Sequence, residues 1–207
     1  SYFDIGPMTS LMSYNSIEGL RMRLGGMTTA YLSRRWFGRG YVARGFKDHK
    51  WKYMGEVEYS FRDKDYHSRE FPMHSIRVTQ LYDLDRMGQI SLMHNVDNMF
   101  LSFRRMPDLQ ETYHRVSKLE YILETDRHFS LEARLQQERQ YATRYMTFVN
   151  GYGENFRHYT LNSLRLVLRY APGEKFYQMK TGRLPINLDA PVFSISHTFA
   201  PKGLFGN

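Results

Sequence analysis

Alternation of apolar and charged residues with a period of two constrains this chain more than any other feature. From 51 to 62, one set of positions reads Trp, Tyr, Gly, Val, Tyr, Phe, and the intervening set reads Lys, Met, Glu, Glu, Ser, Arg. A helix would scatter the two sets around its circumference, whereas a β-strand places them on opposite faces. The same split recurs at 19–25, 129–137 and 164–170. The chain is therefore predicted to be all-β.

About nine segments have the pattern or the residue types of strands, and several are unusually long. They are 18–27, 36–46, 51–62, 74–82, 97–105, 112–125, 129–140, 159–170 and 191–199. Strands of soluble proteins cluster at about 5–6 residues, while strands of membrane barrels need about 9–11. The stretches 83–96 and 171–190 contain Gly, Pro, Asp and Asn, and they are predicted to be loops.

A first hairpin is predicted around a turn at 47–50. In this register Phe46 faces Trp51 on the apolar face, and Arg39 faces Glu58 on the polar face. Opposite charges that face each other across two strands stabilise the pairing. The register therefore predicts one apolar face and one face of paired charges.

A second hairpin, around a turn at 126–128, gives the same result independently. Leu123 then faces Leu131, and Glu120 faces Arg134. Because two unrelated segments separate their residues in the same way, antiparallel pairing of consecutive strands is the predicted topology.

Alternation does not say which face lies outside. In a soluble barrel or sandwich the apolar face forms the core, whereas in an outer-membrane barrel it contacts lipid and the charged face lines the interior. Strand length, aromatic residues at strand ends and cross-strand charge pairs favour the membrane. We predict an antiparallel up-and-down transmembrane β-barrel in the outer membrane, with a soluble barrel that binds an apolar ligand as the alternative. The residues predicted to line the interior are Arg21, Arg23, Arg39, Glu56, Glu58, Glu120, Arg134, Arg165 and Arg169.

The composition excludes several classes of protein. The 207 residues suit one domain, and 32 aromatic side chains are too many for a disordered chain. The absence of cysteine excludes a disulfide scaffold, a thiolate zinc site and a cysteine nucleophile. The net charge is +8, but the cations alternate along strands, so nucleic acid is not an expected partner. Phosphates of lipopolysaccharide suit these cations better.

No catalytic, cofactor-binding or metal-binding residue is predicted. The eight histidines are scattered, and none has the spacing of a metal site. A barrel hydrolase is the second alternative. Its candidate nucleophiles, Ser194, Ser196 and Thr198, alternate with His197 and so point to the opposite face, which weakens a Ser–His pairing. Asp83 and Asp85 lie at a predicted strand end, and barrel proteases that use Asp and His place their catalytic residues near such rims. The two residues are also typical of a turn.

Five segments resemble one known family. They read SIEGLRMRLGG at 16–26, GYVARGFKD at 40–48, WKY at 51–53, YAPGEKFY at 170–177 and LPINLDAPVF at 184–193. The family is the uncharacterised outer-membrane β-barrel of Bacteroidota proteins that begin with a carboxypeptidase-regulatory-like domain. The resemblance covers nearly the whole chain, and the block at 171–199 is the most specific part.

The resemblance implies an outer-membrane barrel with a periplasmic domain upstream, in contact with outer-membrane lipid and lipopolysaccharide. Its role would be transport, assembly or scaffolding, and the family's name implies no peptidase activity. Bacterial single-chain barrels have even strand numbers, so about nine strands predict that 1–207 is one domain of a larger barrel with strands missing. The segment 171–190 is expected to be an ordered extracellular or lumen-folded loop anchored by Phe176 and Tyr177, because loops of this length are uncommon unless they have a role. A flexible surface loop is the alternative.

Overall fold

The computed structural model describes residues 1–5, 12–15, 17–86, 111–145, 147–179, 183–187 and 189–201. Within these ranges every regular element is a β-strand, which confirms the all-β prediction. None of the described residues belongs to a helix long and apolar enough to cross a membrane. The strands are β1 Phe3–Ile5, β2 Met12–Asn15, β3 Gly19–Thr28, β4 Trp36–Gly45, β5 Trp51–Ser60, β6 His74–Arg86, β7 Glu111–Glu124, β8 Phe129–Tyr141, β9 Phe148–Val149, β10 Asn155–Phe156, β11 His158–Tyr170, β12 Phe176–Gln178, β13 Arg183–Pro185 and β14 Phe193–Phe199.

One antiparallel sheet contains all the long strands. Its order is β3-β4-β5-β6-β7-β8-β11-β14, and β1 and β2 both pair with the free edge of β3. Eight of the nine predicted strands are present, and the ninth, 97–105, lies outside the described residues. No hydrogen bonds join β14 to β1 or β2 in the described part of the chain, so this sheet is open.

Strand β6 continues beyond its predicted end. Residues 83–86 belong to β6 instead of the predicted loop 83–96, and 87–96 lies outside the described residues. Strand β7 supplies a pairing partner for each added position, from Asp83 opposite His114 to Arg86 opposite Glu111. The turn-forming residue types in this stretch are therefore overridden by pairing with a full-length neighbour.

The register predicted for the second hairpin is confirmed. Leu123 faces Leu131 and Glu120 faces Arg134. The turn is closed by Thr125, whose backbone N–H donates to the carbonyl oxygen of Phe129 at 2.9 Å. This local hydrogen bond sets the register of two strands of 14 and 13 residues.

The register predicted for the first hairpin is wrong by two residues. Trp51 faces Arg44 instead of Phe46, and Arg39 faces Glu56 instead of Glu58. The backbone N–H of Phe46 donates to Leu20, on the opposite neighbour β3, and so is not used to pair with β5. Because the shift is an even number of residues, the predicted faces are unchanged.

The two faces of the sheet differ in exposure in the opposite sense from that of a soluble protein. On β5, the Val57 side chain is 52% exposed, and the adjacent Glu58 is 2% exposed. The same inversion recurs on β4, β6 and β7, whereas every residue of β14 is exposed on both faces. Exposed apolar residues include Leu24, Trp36, Val42, Trp51, Val57, Val78, Leu119, Leu166, Phe193 and Ile195. Buried polar residues include Lys52, Glu56, Glu58, Arg77, Thr79, Asp83, His114, Glu120 and Glu138.

The sheet curls toward its charged face. Strands β3 and β6 are separated by two others, so in a flat sheet they would lie about 14 Å apart. Arg21 of β3 nevertheless reaches Asp83 of β6 with an Nη2–Oδ2 distance of 2.7 Å. Curvature of this sense brings charged side chains from distant strands together and buries them. A small apolar cluster of Tyr41, Ala43, Leu81 and Val116 packs among them.

The segment predicted to be a loop at 171–190 contains regular structure within its described residues. It contains the hairpin β12–β13, and Phe176 packs edge-to-face on Phe71 with 4.9 Å between ring centroids. Arg183 binds Glu124 at the end of β7, with an Nη2–Oε2 distance of 2.8 Å. The predicted anchoring by Phe176 is confirmed, but that by Tyr177 is wrong, because this side chain is exposed.

Candidate functional site: the charged face

The structure places all nine predicted interior residues on the charged face of the sheet, which we define as the face that carries Arg39, Glu58 and Glu120. Three of them are buried carboxylates, Glu56, Glu58 and Glu120. The remaining six are arginines that are half-buried or exposed: Arg21, Arg23, Arg39, Arg134, Arg165 and Arg169.

The cations on this face are matched mainly to carboxylates of neighbouring strands. Arg39 donates to Glu56 at 2.9 Å, and Arg134 donates to Glu120 at 2.9 Å. Arg169 forms a bidentate pair with Glu174, at 2.7 and 2.8 Å. The remaining arginines differ. Arg23 stacks on the ring of Tyr41, and Arg165 is exposed and faces Arg134 across β8 and β11.

Arg77 is the centre of this network. Its Nη2 lies 3.0 Å from Glu58 Oε2, its Nη1 lies 3.7 Å from Glu120 Oε2, and its Nε lies 3.6 Å from Glu56 Oε1. The three carboxylates come from β5 and β7, on either side of β6. Burying this much negative charge requires such a shared cation, because an isolated buried carboxylate is strongly destabilising.

A second cluster joins β3, β4 and β6. Asp83 accepts hydrogen bonds from Arg21, at 2.7 Å, and from the hydroxyl of Tyr41. The side chain of Asp83 is buried within the strand, so neither a turn nor an exposed rim carboxylate describes it. Its role here is to hold three strands together through charge-assisted hydrogen bonds.

A third cluster lies at the turn between β4 and β5. The Nζ of the buried Lys52 lies 2.6 Å from Glu18 Oε1 and 2.5 Å from Asp48 Oδ2. Tyr113 donates to the same Asp48 oxygen at 2.9 Å. Gly45 leaves space for these groups, since a Cβ atom there would lie 2.9 Å from the Glu18 Cβ and 3.1 Å from Nζ.

The carboxyl group of Asp48 has a pKa below its ordinary value. Its burial alone would raise the pKa, but hydrogen bonds from Lys52, from the Lys50 backbone N–H and from Tyr113 outweigh that effect. A lowered folded-state pKa stabilises the protein above the unfolded-state pKa of about 3.9. The contribution is lost as the pH falls through the lower, folded-state pKa.

The Asp48→Asn variant tests this linkage. The amide keeps the shape but not the charge, so we expect a lower Tm than that of the unsubstituted chain at pH 7. The difference in Tm should shrink as the pH falls below about 4, because the unsubstituted chain then loses its own carboxylate charge. Thermal unfolding between pH 7 and pH 2.5 measures this. A difference that stays constant over the range would contradict the assignment.

A hydroxyl, an imidazole and a carboxylate lie in series on β7 and β8. Thr112 Oγ1 is 2.7 Å from His114 Nε2, and His114 Nδ1 is 3.0 Å from Glu138 Oε1. A carboxylate only accepts, so Nδ1 donates to Glu138, and in the neutral ring Nε2 accepts the threonine hydroxyl proton. The order matches a catalytic triad. However, the Thr112 side chain is 0% exposed, so its hydroxyl is enclosed by protein and contacts no solvent.

The residues considered for a hydrolase on β14 are not brought together. Ser194, Ser196 and Thr198 lie on the charged face, opposite Arg169, Val167 and Arg165. His197 lies on the other face, opposite Leu166. This matches the predicted separation of the serines from the histidine.

Sequence reasoning missed the partners that matter most on this face. Arg77 alternates with Ile76 and Val78, so the period of two could have placed it there. The contact between His114 and Glu138 follows from the predicted second hairpin, in which His114 faces Gln140 and Glu138 is its diagonal neighbour. Glu18 and Asp48 lie outside the strands, and no periodic signal identifies them.

The described residues contain no group of three or more His, Asp or Glu side chains arranged to hold a metal ion. No protein family matches the chain, and comparisons with curated proteins and with solved structures find no match.

Proposed function

We propose that this chain forms part of the wall of an outer-membrane β-barrel, with its apolar face in lipid and its charged face toward the interior. The inverted exposure of neighbouring residues, such as Val57 and Glu58, carries the proposal. Soluble proteins rarely expose contiguous apolar surface beyond a few hundred Å². In a bilayer the same surface is favourable, and the charged face is sheltered by curvature.

The open edges of the sheet are part of the proposal. Strand β14 at one edge, and β1 and β2 at the other, leave backbone groups without partners in the described sheet. Such groups cost several kcal/mol each in a bilayer. We therefore propose that further strands of the parent protein pair with these edges, and that lipid, lipopolysaccharide and a periplasmic domain are the other partners.

Within the proposed roles, the ion pairs favour assembly or scaffolding over selective transport. A selectivity filter presents unpaired charges or carbonyl groups to the permeating ion. Here the buried carboxylates Glu56, Glu58 and Glu120 already have arginine partners. These carboxylates are paired with arginines of neighbouring strands, so they stabilise the sheet and are not free to bind a permeating ion.

The two alternatives have less support. A barrel that binds an apolar ligand needs apolar side chains on its concave face, where this sheet carries mainly charges. A hydrolase needs a nucleophile within reach of its substrate, and Thr112 is enclosed.

The two tryptophans provide the test. Trp36 and Trp51 are both exposed on the apolar face, at opposite ends of the β4–β5 hairpin. In vesicles that contain brominated lipids, we expect quenching of both, measured separately in the Trp36→Phe and Trp51→Phe variants. Quenching by aqueous iodide but not by brominated lipid would contradict lipid contact.

A further inference from the structure

A small cavity lies where the segment 61–73 folds over the charged face. Its volume is about 80 Å³, and it is lined by residues that include Thr28, Arg39, Glu56, Glu58, His67 and Arg69. The segment is held by the buried Lys64, whose Nζ donates to the carbonyl oxygens of Glu70, at 2.5 Å, and Pro72, at 3.0 Å. The wall of the cavity is therefore fixed by internal hydrogen bonds.

Arg69 brings a cation into this cavity without a matching anion. Within the described residues, its guanidinium group has no hydrogen bond and no ion pair. Burial and the charges of Arg39 and Arg77 lower the pKa of Arg69, and the charges of Glu56 and Glu58 only partly offset them. An arginine remains protonated at neutral pH even so. The lining therefore includes a guanidinium group with five N–H donors that no described residue accepts, beside Arg39 and the carboxylates Glu56 and Glu58.

Two further donors line the cavity. The Nε of Arg39 is buried and has no acceptor among the described residues. His67 accepts the Arg69 backbone N–H through Nδ1 at 3.2 Å, and burial and Arg69 lower the pKa of His67. Its neutral ring therefore carries the proton on Nε2, which adds a donor without adding charge.

The carboxylates in the lining are already matched. Glu56 accepts from Arg39 and from Thr79, and Glu58 accepts from Arg77 through Oε2. Glu58 Oε1 is buried without a hydrogen-bond donor, and the nearest cation to Glu56 Oε1 is Arg77 Nε at 3.6 Å. The described residues therefore supply no acceptor for the buried Arg39 Nε or for the half-buried Arg69 guanidinium group, and leaving a buried donor such as Arg39 Nε unpaired is unfavourable.

We propose that this cavity binds a small oxyanion, either a carboxylate or a phosphate, with Arg69 as its main ligand and Arg39 Nε as a second donor. A guanidinium group matches two oxygens of either anion with parallel hydrogen bonds. Glu58 Oε1 accepts from a hydroxyl group of the ligand where one is present. The volume suits an anion of a few heavy atoms, because a single water needs about 10–15 Å³ on such a scale. This proposal does not rest on the proposed location in the outer membrane.

Calorimetric titration of the chain in detergent with sodium phosphate, and separately with sodium acetate, tests the proposal. Arg69→Gln should weaken binding by about tenfold or more, because it removes a charge-assisted bidentate contact. Arg62→Gln is the matched control, since Arg62 lies in the same segment but is exposed. Its affinity should be unchanged. Tighter binding of phosphate or of acetate identifies which oxyanion the site prefers.

Thermal unfolding separates a ligand-binding role from a structural one. Without added anion, Arg69→Gln should unfold at the same temperature as the unsubstituted chain or higher, because the half-buried Arg69 guanidinium group forms no hydrogen bond or ion pair with the described residues. The anion that binds should raise the Tm of the unsubstituted chain and leave that of the variant unchanged. The proposal is overturned if neither anion shows Arg69-dependent binding, if Arg62→Gln weakens binding equally, or if Arg69→Gln alone unfolds the chain.

Discussion

With the apolar face in lipid, as proposed, replacing Val57 with arginine is expected to destabilise the chain by about 2–4 kcal/mol, the cost of a cation that faces lipid near the middle of the bilayer. Val57 lies on the exposed apolar face of β5, between the aromatic ends of the strand. In a soluble protein, an arginine at so exposed a position would change the free energy of unfolding by about 0.5 kcal/mol or less. Urea titration of the chain in lipid vesicles measures the difference.

Val149 provides the matched control. It is also an exposed valine in a strand, at 59% compared with 52% for Val57, but it lies in the small β9–β10 sheet outside the main sheet. We expect Val149→Arg to change the free energy of unfolding by about 0.5 kcal/mol or less. Equal losses in the two variants would contradict the assignment of the main apolar face to lipid. Two near-zero effects would favour a soluble protein.

Replacing Arg77 with methionine is expected to cost about 3–5 kcal/mol, because Glu58, Glu56 and Glu120 lose a cation that they share. The Met side chain fills a similar volume, so most of the loss is electrostatic. The control is Arg157→Met, since Arg157 is exposed and its substitution should cost about 0.5 kcal/mol or less.

The double variant Arg77→Met, Glu58→Gln distinguishes a lost charge partner from poor packing. Removing the Glu58 charge together with its partner should restore part of the stability lost in Arg77→Met, with a coupling energy of about 0.5–3 kcal/mol. Chemical denaturation of the unsubstituted chain, the two single variants and the double variant measures the four free energies of unfolding. The stabilising role of the ion-pair network would be contradicted if Arg77→Met cost no more than Arg157→Met. It would also be contradicted if the effects of Arg77→Met and Glu58→Gln were additive in the double variant.

The period of two allowed most of the sheet to be predicted, because strand geometry is a local property. Side chains alternate between faces whatever the rest of the chain does, so Val57 and Glu58 had to lie on opposite faces. The second hairpin was also predictable, since its turn and strands are adjacent in the sequence. The first hairpin was not, because Phe46 pairs with Leu20 on a different strand.

The candidate sites depend on contacts that no local pattern contains. Arg21 and Asp83 are 62 residues apart and meet only because the sheet curls. Arg69 is brought to Arg39 by a segment that has no periodic signal, and Lys64 holds that segment through backbone carbonyls.

The sequence by itself determined the strands, their antiparallel pairing and the two sets of residues that share a face, because each depends on neighbours within a strand or hairpin. Only the tertiary structure decided that the charged set is buried and the apolar set exposed, as alternation is symmetric between the faces. It also decided which charges are matched and which, such as Arg69, are not. The distances between these charges depend on the curvature of the sheet and on long-range packing. Both are properties of the whole sheet.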